Sequence, residues 1–225
     1  AYVHLVHGEA DDAQGRAIAT EHAGGVEKYQ LNYVSPYSQT IVTDPLGTQR
    51  TYNFQTILGV VKTTGVDQPN ASCASCGGTQ SQAATYDANG NVDSRTDFNG
   101  YKTCYRYDLA RNLETARVEG LGAADDCATA LGMTQAQLAS AYARADVRKI
   151  ATTWHATYRI PLTTTEPAAA ATVGGTPGSK STAYTHDASG NVLTKTITAP
   201  KNDGSGTNEP RVWTWPYNTL GQALT

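Results

Sequence analysis

Tyr86-Asp87-Ala88-Asn89-Gly90-Asn91-Val92 runs on through Arg95-Thr96-Asp97-Phe98-Asn99-Gly100 to Tyr105-Arg106-Tyr107-Asp108. A short aromatic-bearing run meets a D-x-x-G turn, a second run meets another such turn, and a third run follows. Asp at the first turn position accepts from the backbone two residues on, and Gly at the fourth enters the left-handed region without a Cβ clash. The runs between turns hold about six residues, a strand of roughly 20 Å. The stretch therefore predicts antiparallel strands in a meander, and the chain's fold class follows as all-β.

The same pattern recurs. Aligned on the aromatic slot, the copies are Phe54, Tyr86, Tyr107, His186 and Tyr217. Gln55, Asp87, Asp108, Asp187 and Asn218 come next, all polar. Two residues before the aromatic stand Tyr52, Ala84, Tyr105, Tyr184 and Trp215, on the same strand face by the period of two. Four positions after it come Leu58, Gly90, Arg111, Gly190 and Gly221. Where that glycine is missing, Gly59 and Asn112 directly follow and are expected to take the positive φ. The predicted strands are 48–54, 80–86, 91–96, 101–107, 182–186, 191–198 and 211–217. The predicted turns are 44–47, 87–90, 97–100, 187–190 and 218–221, with Gly100 in the third.

The Y-D-x-x-G-N-V pattern, with T-D-x-x-G offset by half a repeat, resembles the YD repeat of the RHS family. Trp154-His155-Ala156-Thr157-Tyr158-Arg159-Ile160-Pro161 is similar to a W-H-x-x-Y-R-L-P stretch found between such repeats in bacterial members, and Asp12 to Arg16 is a weaker echo. The resemblance implies an open spiral or shell of β-strands that encloses a C-terminal toxin in bacterial RHS and insecticidal-toxin proteins; teneurins use a related shell in adhesion. Neither the family's shell-closing region nor a toxin domain is recognisable.

In order, residues 1–65 read as a divergent strand array and 66–79 as a cysteine-containing loop. YD repeats follow over 80–119, an insertion with one short helix near 134–146 over 120–148, and further repeats over 149–225. Loops at 166–180 and 200–210, rich in small residues and Pro, are expected to be mobile. The helix start is a capping box at Thr134 and Gln137. The chain of 225 residues begins without Met and reads as an excised piece of a larger protein. A net charge of −3, with no basic run longer than two residues, argues against nucleic acid as a partner. No apolar run is long enough to span a bilayer. Only 16% of residues are charged, which suits a secreted or cell-surface β-protein better than a cytosolic helical enzyme.

Four cysteines, Cys73, Cys76, Cys104 and Cys127, allow two disulfides, one zinc site or free thiols. Cys104 and Cys127 lack knuckle spacing, so a bridge tying the insertion to the sheet is expected. The sequence signals no cofactor and no metal. His186 fills an aromatic slot, His155 reads as a backbone brace, and His4, His7 and His22 are scattered. Asp87 to Asp93 lacks the sixth-position Gly of an EF-hand. Asn70-Ala71-Ser72 matches a short glycosylation sequon.

The structural residues of the repeats are thus Tyr86, Tyr107, Asp108, Tyr184, Asp187, Trp215, Tyr217 and the turn glycines Gly90, Gly100, Gly190 and Gly221. The paired aromatics, including Trp213 and Trp215, read as cross-strand ladders or as an exposed platform for sugars. The expected role is structural and non-enzymatic: a shell segment whose partners are the rest of the parent RHS chain and an enclosed toxin. An adhesion or carbohydrate-binding module is the alternative. A glycosidase would need Glu114, Glu119, Asp146 or Glu166 to converge as a carboxylate pair.

Overall fold

In the computed structural model, residues 12–35, 38–69, 78–142, 144, 146–167, 178–201, 205 and 207–224 are described. They form an open, all-antiparallel β-meander carrying two short helices. The chain divides into two compact units, Ala1–Tyr101 and Lys102–Thr225.

The first unit contains β1 (Ala19–His22), β2 (Val26–Ser35), β3 (Gln39–Thr43), β4 (Gln49–Ile57), β5 (Val60–Pro69), β6 (Thr79–Tyr86) and β7 (Val92–Thr96), adjacent in chain order. Val66 is the one buried hydrophobic among its described residues. Polar side chains instead tie strand to strand. On successive strands β3 to β6, Gln39 donates to Asn53 at 3.0 Å, Asn53 donates to Asp67 at 2.9 Å, and the Ser81 hydroxyl donates to the other oxygen of Asp67. A sheet held this way needs no covering layer.

The second unit contains β8 (Tyr101–Asp108), β9 (Leu113–Gly122), α1 (Cys127–Gly132), α2 (Gln135–Tyr142), β10 (Arg148–Trp154), β11 (Pro161–Pro167), β12 (Ser179–His186), β13 (Val192–Pro200) and β14 (Asn208–Thr214). Its core is local to the insertion: Cys104, Ala116, Val118, Leu121, Ala130, Leu131, Leu138 and Val147 are buried together. The helix expected near 134–146 is α2, and a second, unexpected helix, α1, precedes it. Asp126 caps α1, accepting from the Thr129 N–H at 2.8 Å, a D-x-x-T start that the sequence reading passed over. The capping box of α2 forms as expected: the Gln137 N–H donates to the Thr134 hydroxyl at 3.3 Å, and the Thr134 N–H to the Gln137 side chain at 2.8 Å. The Lys149 ammonium closes the end of α1, donating to the Leu131 and Met133 carbonyls at 2.7 and 2.6 Å.

Most predicted strands lie within a few residues of the observed ones. The last differs: β14 ends at Thr214, because Pro216 has no N–H to continue the ladder, and Tyr217 makes only an isolated bridge to Ala223. The loop expected over 166–180 is shorter at both ends, since β11 reaches Pro167 and β12 begins at Ser179, and 168–177 lie outside the described residues. The ends of the loop expected over 200–210 are also strand, as β13 reaches Pro200 and β14 starts at Asn208.

Cys104 and Cys127 form the expected disulfide, with Cα atoms 5.4 Å apart; Cys73 and Cys76 lie outside the described residues. The bridge spans 23 residues. On the chain-entropy model such a closure stabilises by about 3 kcal/mol. Replacing both residues with Ala should therefore lower the urea-unfolding free energy of the second unit by about that amount, and reductant should then have no further effect.

Candidate functional site: turns laced along the sheet edges

The unit of construction is a carboxylate inside its own turn. Oδ1 of Asp87 accepts from the N–H groups of Asn89 at 2.9 Å and Asn91 at 2.8 Å, while the Gly90 N–H donates to the Asp87 carbonyl at 2.9 Å. Asp12, Asp44, Asp97 and Asp187 repeat the arrangement, and Asn218 does so with a neutral amide, accepting from Leu220 and Gln222 at 3.0 Å each. Asp108 keeps the first bond, from the Ala110 N–H at 3.0 Å. The fourth-position glycines have the positive φ their turns require: 77° at Gly90, 80° at Gly100, 87° at Gly190 and 75° at Gly221. Asn112 takes φ 50° in place of the glycine missing at Arg111.

Above the turns at Asp87 and Asp187 the strand pair carries a bulge at the aromatic slot. Tyr86 pairs Val92 while Thr85 pairs Ser94; His186 pairs Val192 while Thr185 pairs Thr194. Hydroxyls close both irregularities, Thr85 with Ser94 and Thr185 with Thr194, each at 2.7 Å. Trp154 occupies the same slot, with Thr153 and Thr163 hydroxyls 2.6 Å apart, so the W-H-x-x-Y-R stretch is itself a repeat with a longer loop. Phe54 keeps the bulge without a D-x-x-G turn, and Gly59 takes the positive φ expected of it. β4 continues to Ile57, and Leu58 and Gly59, with φ 50° and 78°, make a two-residue hairpin turn instead.

Neighbouring turns on one edge of each unit are laced together. In the first unit the Lys62 ammonium donates to the Gly90 carbonyl at 2.9 Å and lies 5.3 Å from the Tyr86 ring centroid; Tyr86 donates to the Thr63 carbonyl at 2.7 Å. In the second unit the Arg111 guanidinium donates to the carbonyls of His155 at 2.7 Å and Tyr158 at 2.8 Å. Trp154 Nε1 donates to the Glu114 carbonyl at 2.7 Å. Nδ1 of His155 accepts the Thr157 and Tyr158 N–H groups at 3.1 Å each, the bracing role expected of it. The Tyr158 hydroxyl reaches the next turn, donating to the Ala188 carbonyl at 2.8 Å, and its ring lies 3.6 Å from where a Cβ on Gly190 would sit. His186 packs between Tyr184 and His155, both rings 6.3 Å away, and its Nδ1 is buried without a hydrogen-bond partner. Tyr105 and Tyr107 stack at 6.4 Å.

The acids considered for a cleft are engaged with cations. Glu114 meets Arg117 at 2.7 Å, Glu119 meets Arg117 and Arg148 at 2.6 Å each, Asp146 meets Arg144 at 2.8 Å, and Glu166 meets Lys180 at 2.8 Å. Burial pulls the Glu119 carboxyl upward, but hydrogen bonds from Arg117 and Arg148 outweigh it and hold it below its ordinary range. Among the described residues, no group of three or more His, Cys, Asp or Glu side chains could hold a metal ion. No described helix is long and apolar enough to cross a membrane. Lys62 and Arg111 were missed in the sequence because their partners lie 28 to 47 residues away.

No protein-family model and no curated protein matches the chain. Similar solved structures include the TcdB2-TccC3-Cdc42 complex, at 12% identity over 93% of this chain and TM-score 0.30. They also include TcdB2-TccC3-TEV, at 11% over 95% and TM-score 0.23. This chain spans only 12% and 14% of the length of those two chains. A porin-like protein from Bacteroides uniformis is similar at 10% identity over 93% of both chains, with TM-score 0.35. With TM-scores this low, the functional reading rests on the chain's own geometry.

Two sets of measurements check this description. Gly90→Ala meets no close contact, so its cost is the left-handed backbone alone, about 1 kcal/mol. At Gly120, with φ 80°, a Cβ would sit 2.5 Å from the Asp146 carbonyl oxygen, so Gly120→Ala should cost clearly more in denaturant unfolding. The carboxyls of Asp44 and Asp187 are held below 3.8, chiefly by the Thr48 N–H and the Asn191 side chain respectively. Their folded values lie below the unfolded ones, so their stabilisation is complete above pH 3.8 and is lost as pH falls through the folded values. Asp44→Asn with Asp187→Asn should flatten that acid limb of a stability–pH curve, as neutral Asn218 already supports the same turn.

Proposed function

We propose that the chain is a wall segment in the β-strand shell of a secreted or surface-displayed bacterial RHS/YD-repeat protein, enclosing a C-terminal toxin or effector, and that it performs no catalysis itself. One observation carries this reading: the distinctive side chains of the repeats bind main chain. The turn carboxylates take N–H groups, and Lys62, Arg111, Trp154 and Tyr158 give their protons to carbonyls. A device of that kind adds strand after strand without a second layer, which is what a wall around a cargo needs. Adhesion or carbohydrate binding is the second reading. It is favoured by Trp213, which is 44% exposed on β14 with the Lys195 ammonium 5.9 Å from its ring centroid.

The test is protease protection in the full-length parent. Its C-terminal polypeptide should resist digestion in the wild type and become sensitive when Asp87→Ala and Asp187→Ala are combined. Digestion of the wild-type parent as fast as of the isolated C-terminal polypeptide would remove the enclosure reading. Hydrolysis of a polysaccharide or peptide panel by the purified chain, lost on changing one acid, would remove inertness.

A further inference from the structure

A groove of about 490 Å³ lies in the second unit, lined by Arg106, Asp108, Arg111, Lys149, Thr153 and Trp154 among others. That volume falls within the range of small-ligand sites, roughly 300–1,000 Å³. Elsewhere in the unit, Arg117, Arg144, Arg148 and Lys180 each meet a carboxylate, while Lys102 and Arg159 donate to the carbonyls of Asp125 and Asn112. In the groove, Arg111 and Lys149 donate to main-chain carbonyls, which leaves their charges uncancelled, and Arg106 is exposed to solvent. The one carboxylate lining it, Asp108, already accepts the Ala110 N–H within its own turn. Three cations thus share the groove with one acid, in a chain whose net charge is −3.

The cations also feel one another. Burial and then the positive charge of Arg106 hold the Lys149 ammonium below its ordinary value. An anion seated there would relieve that repulsion. Trp154 adds a second recognition element: its indole N–H is fixed on the Glu114 carbonyl, which sets the ring plane of a part-exposed aromatic beside the cations. A flat ring beside guanidinium groups suits a sugar ring that carries an acidic substituent, the ring stacking on the indole and the acid reaching the fork of an arginine.

We infer that this groove is a binding site for an acidic polysaccharide, with Arg106 and Arg111 holding its carboxylate or sulfate groups and Trp154 stacking on a sugar ring. The site is independent of the shell reading, since an exposed wall can carry it whether or not the wall encloses a cargo.

The experiment measures binding of the intact chain to polygalacturonate (carboxylate), heparin (sulfate), neutral dextran and poly-glutamate. Binding to one or both acidic glycans but not to dextran is expected, and it should weaken as salt rises from about 50 to about 300 mM. Arg106→Glu lies on an exposed side chain and should weaken binding by roughly tenfold or more, with an unchanged circular dichroism spectrum. Arg95→Glu, on an exposed side chain of the first unit and outside the groove, should leave binding as it is. Trp154→Phe should weaken glycan binding. Absence of binding to either acidic glycan at low salt, binding unaffected by Arg106→Glu, or equal binding to dextran would overturn the site. Binding to poly-glutamate as tight as to the glycans would overturn the sugar assignment and make the groove an acidic-peptide site.

Discussion

The structure depends on one short-range interaction, an aspartate oxygen that accepts two main-chain N–H groups from residues two and four positions ahead. The acceptor's geometry forces the intervening residue into the left-handed region, which is why glycine follows at the fourth position. It also brings the chain back antiparallel to itself. At Asp87 and Asp187 a bulge at the aromatic slot accompanies the turn, whereas the same turn at Asp44 joins regularly paired strands. Thr85 with Ser94 and Thr185 with Thr194 occupy the same place relative to Asp87 and Asp187, and their hydroxyls meet at the same 2.7 Å. At Asp87 and Asp187 turn, bulge and hydroxyl pair form one module, built from contacts local in the chain.

Such a module allows a sheet to stand without a deep core. A two-stranded hairpin is marginal by itself, and most sheets gain their stability from a buried face. In the first unit that face contributes little, and the work falls on polar rungs such as Gln39, Asn53, Asp67 and Ser81. Each such pair contributes only about 0.2–1 kcal/mol, so stability must come from their repetition along the sheet. The second unit adds a conventional element only where the chain leaves the pattern. The insertion between β9 and β10 brings its own apolar side chains, its own caps and a disulfide, as a segment without turn modules requires.

What was legible in the sequence follows the same division. The turn at Asp87 could be read because donor, acceptor and glycine lie within five residues, and the capping box at Thr134 and the spacing of Cys104 and Cys127 were local enough to interpret. At Phe54 the positive φ of Gly59 could be read, but β4 runs three residues past the predicted end because Gln55 starts no carboxylate turn. Trp154 was not recognised as an aromatic slot because the six residues to Ile160 hide the spacing. Arg111 read only as a missing glycine, yet its guanidinium joins two loops. Nothing within a few residues of Arg111 or Lys62 announces a partner so far along the chain. The groove around Arg106 was invisible for the same reason, being assembled from three strands.

A meander places alternate connections on the same edge, and in the second unit the two edges are used differently. In the second unit, the connections at 109–112, 155–160, 187–191 and 218–222 are short, and three of them are joined through Arg111 and Tyr158. The opposite edge receives the helical insertion and the connections between β11 and β12 and between β13 and β14. The first unit divides differently: Lys62 ties neighbouring turns on one edge, while the carboxylate turns at Asp44 and Asp97 lie on the other. Added length on the laced edge would separate a cation from its carbonyl and break the link between hairpins. In the second unit, added length on the other edge falls outside the carboxylate turns, so there the laced edge is the one whose spacing must be kept.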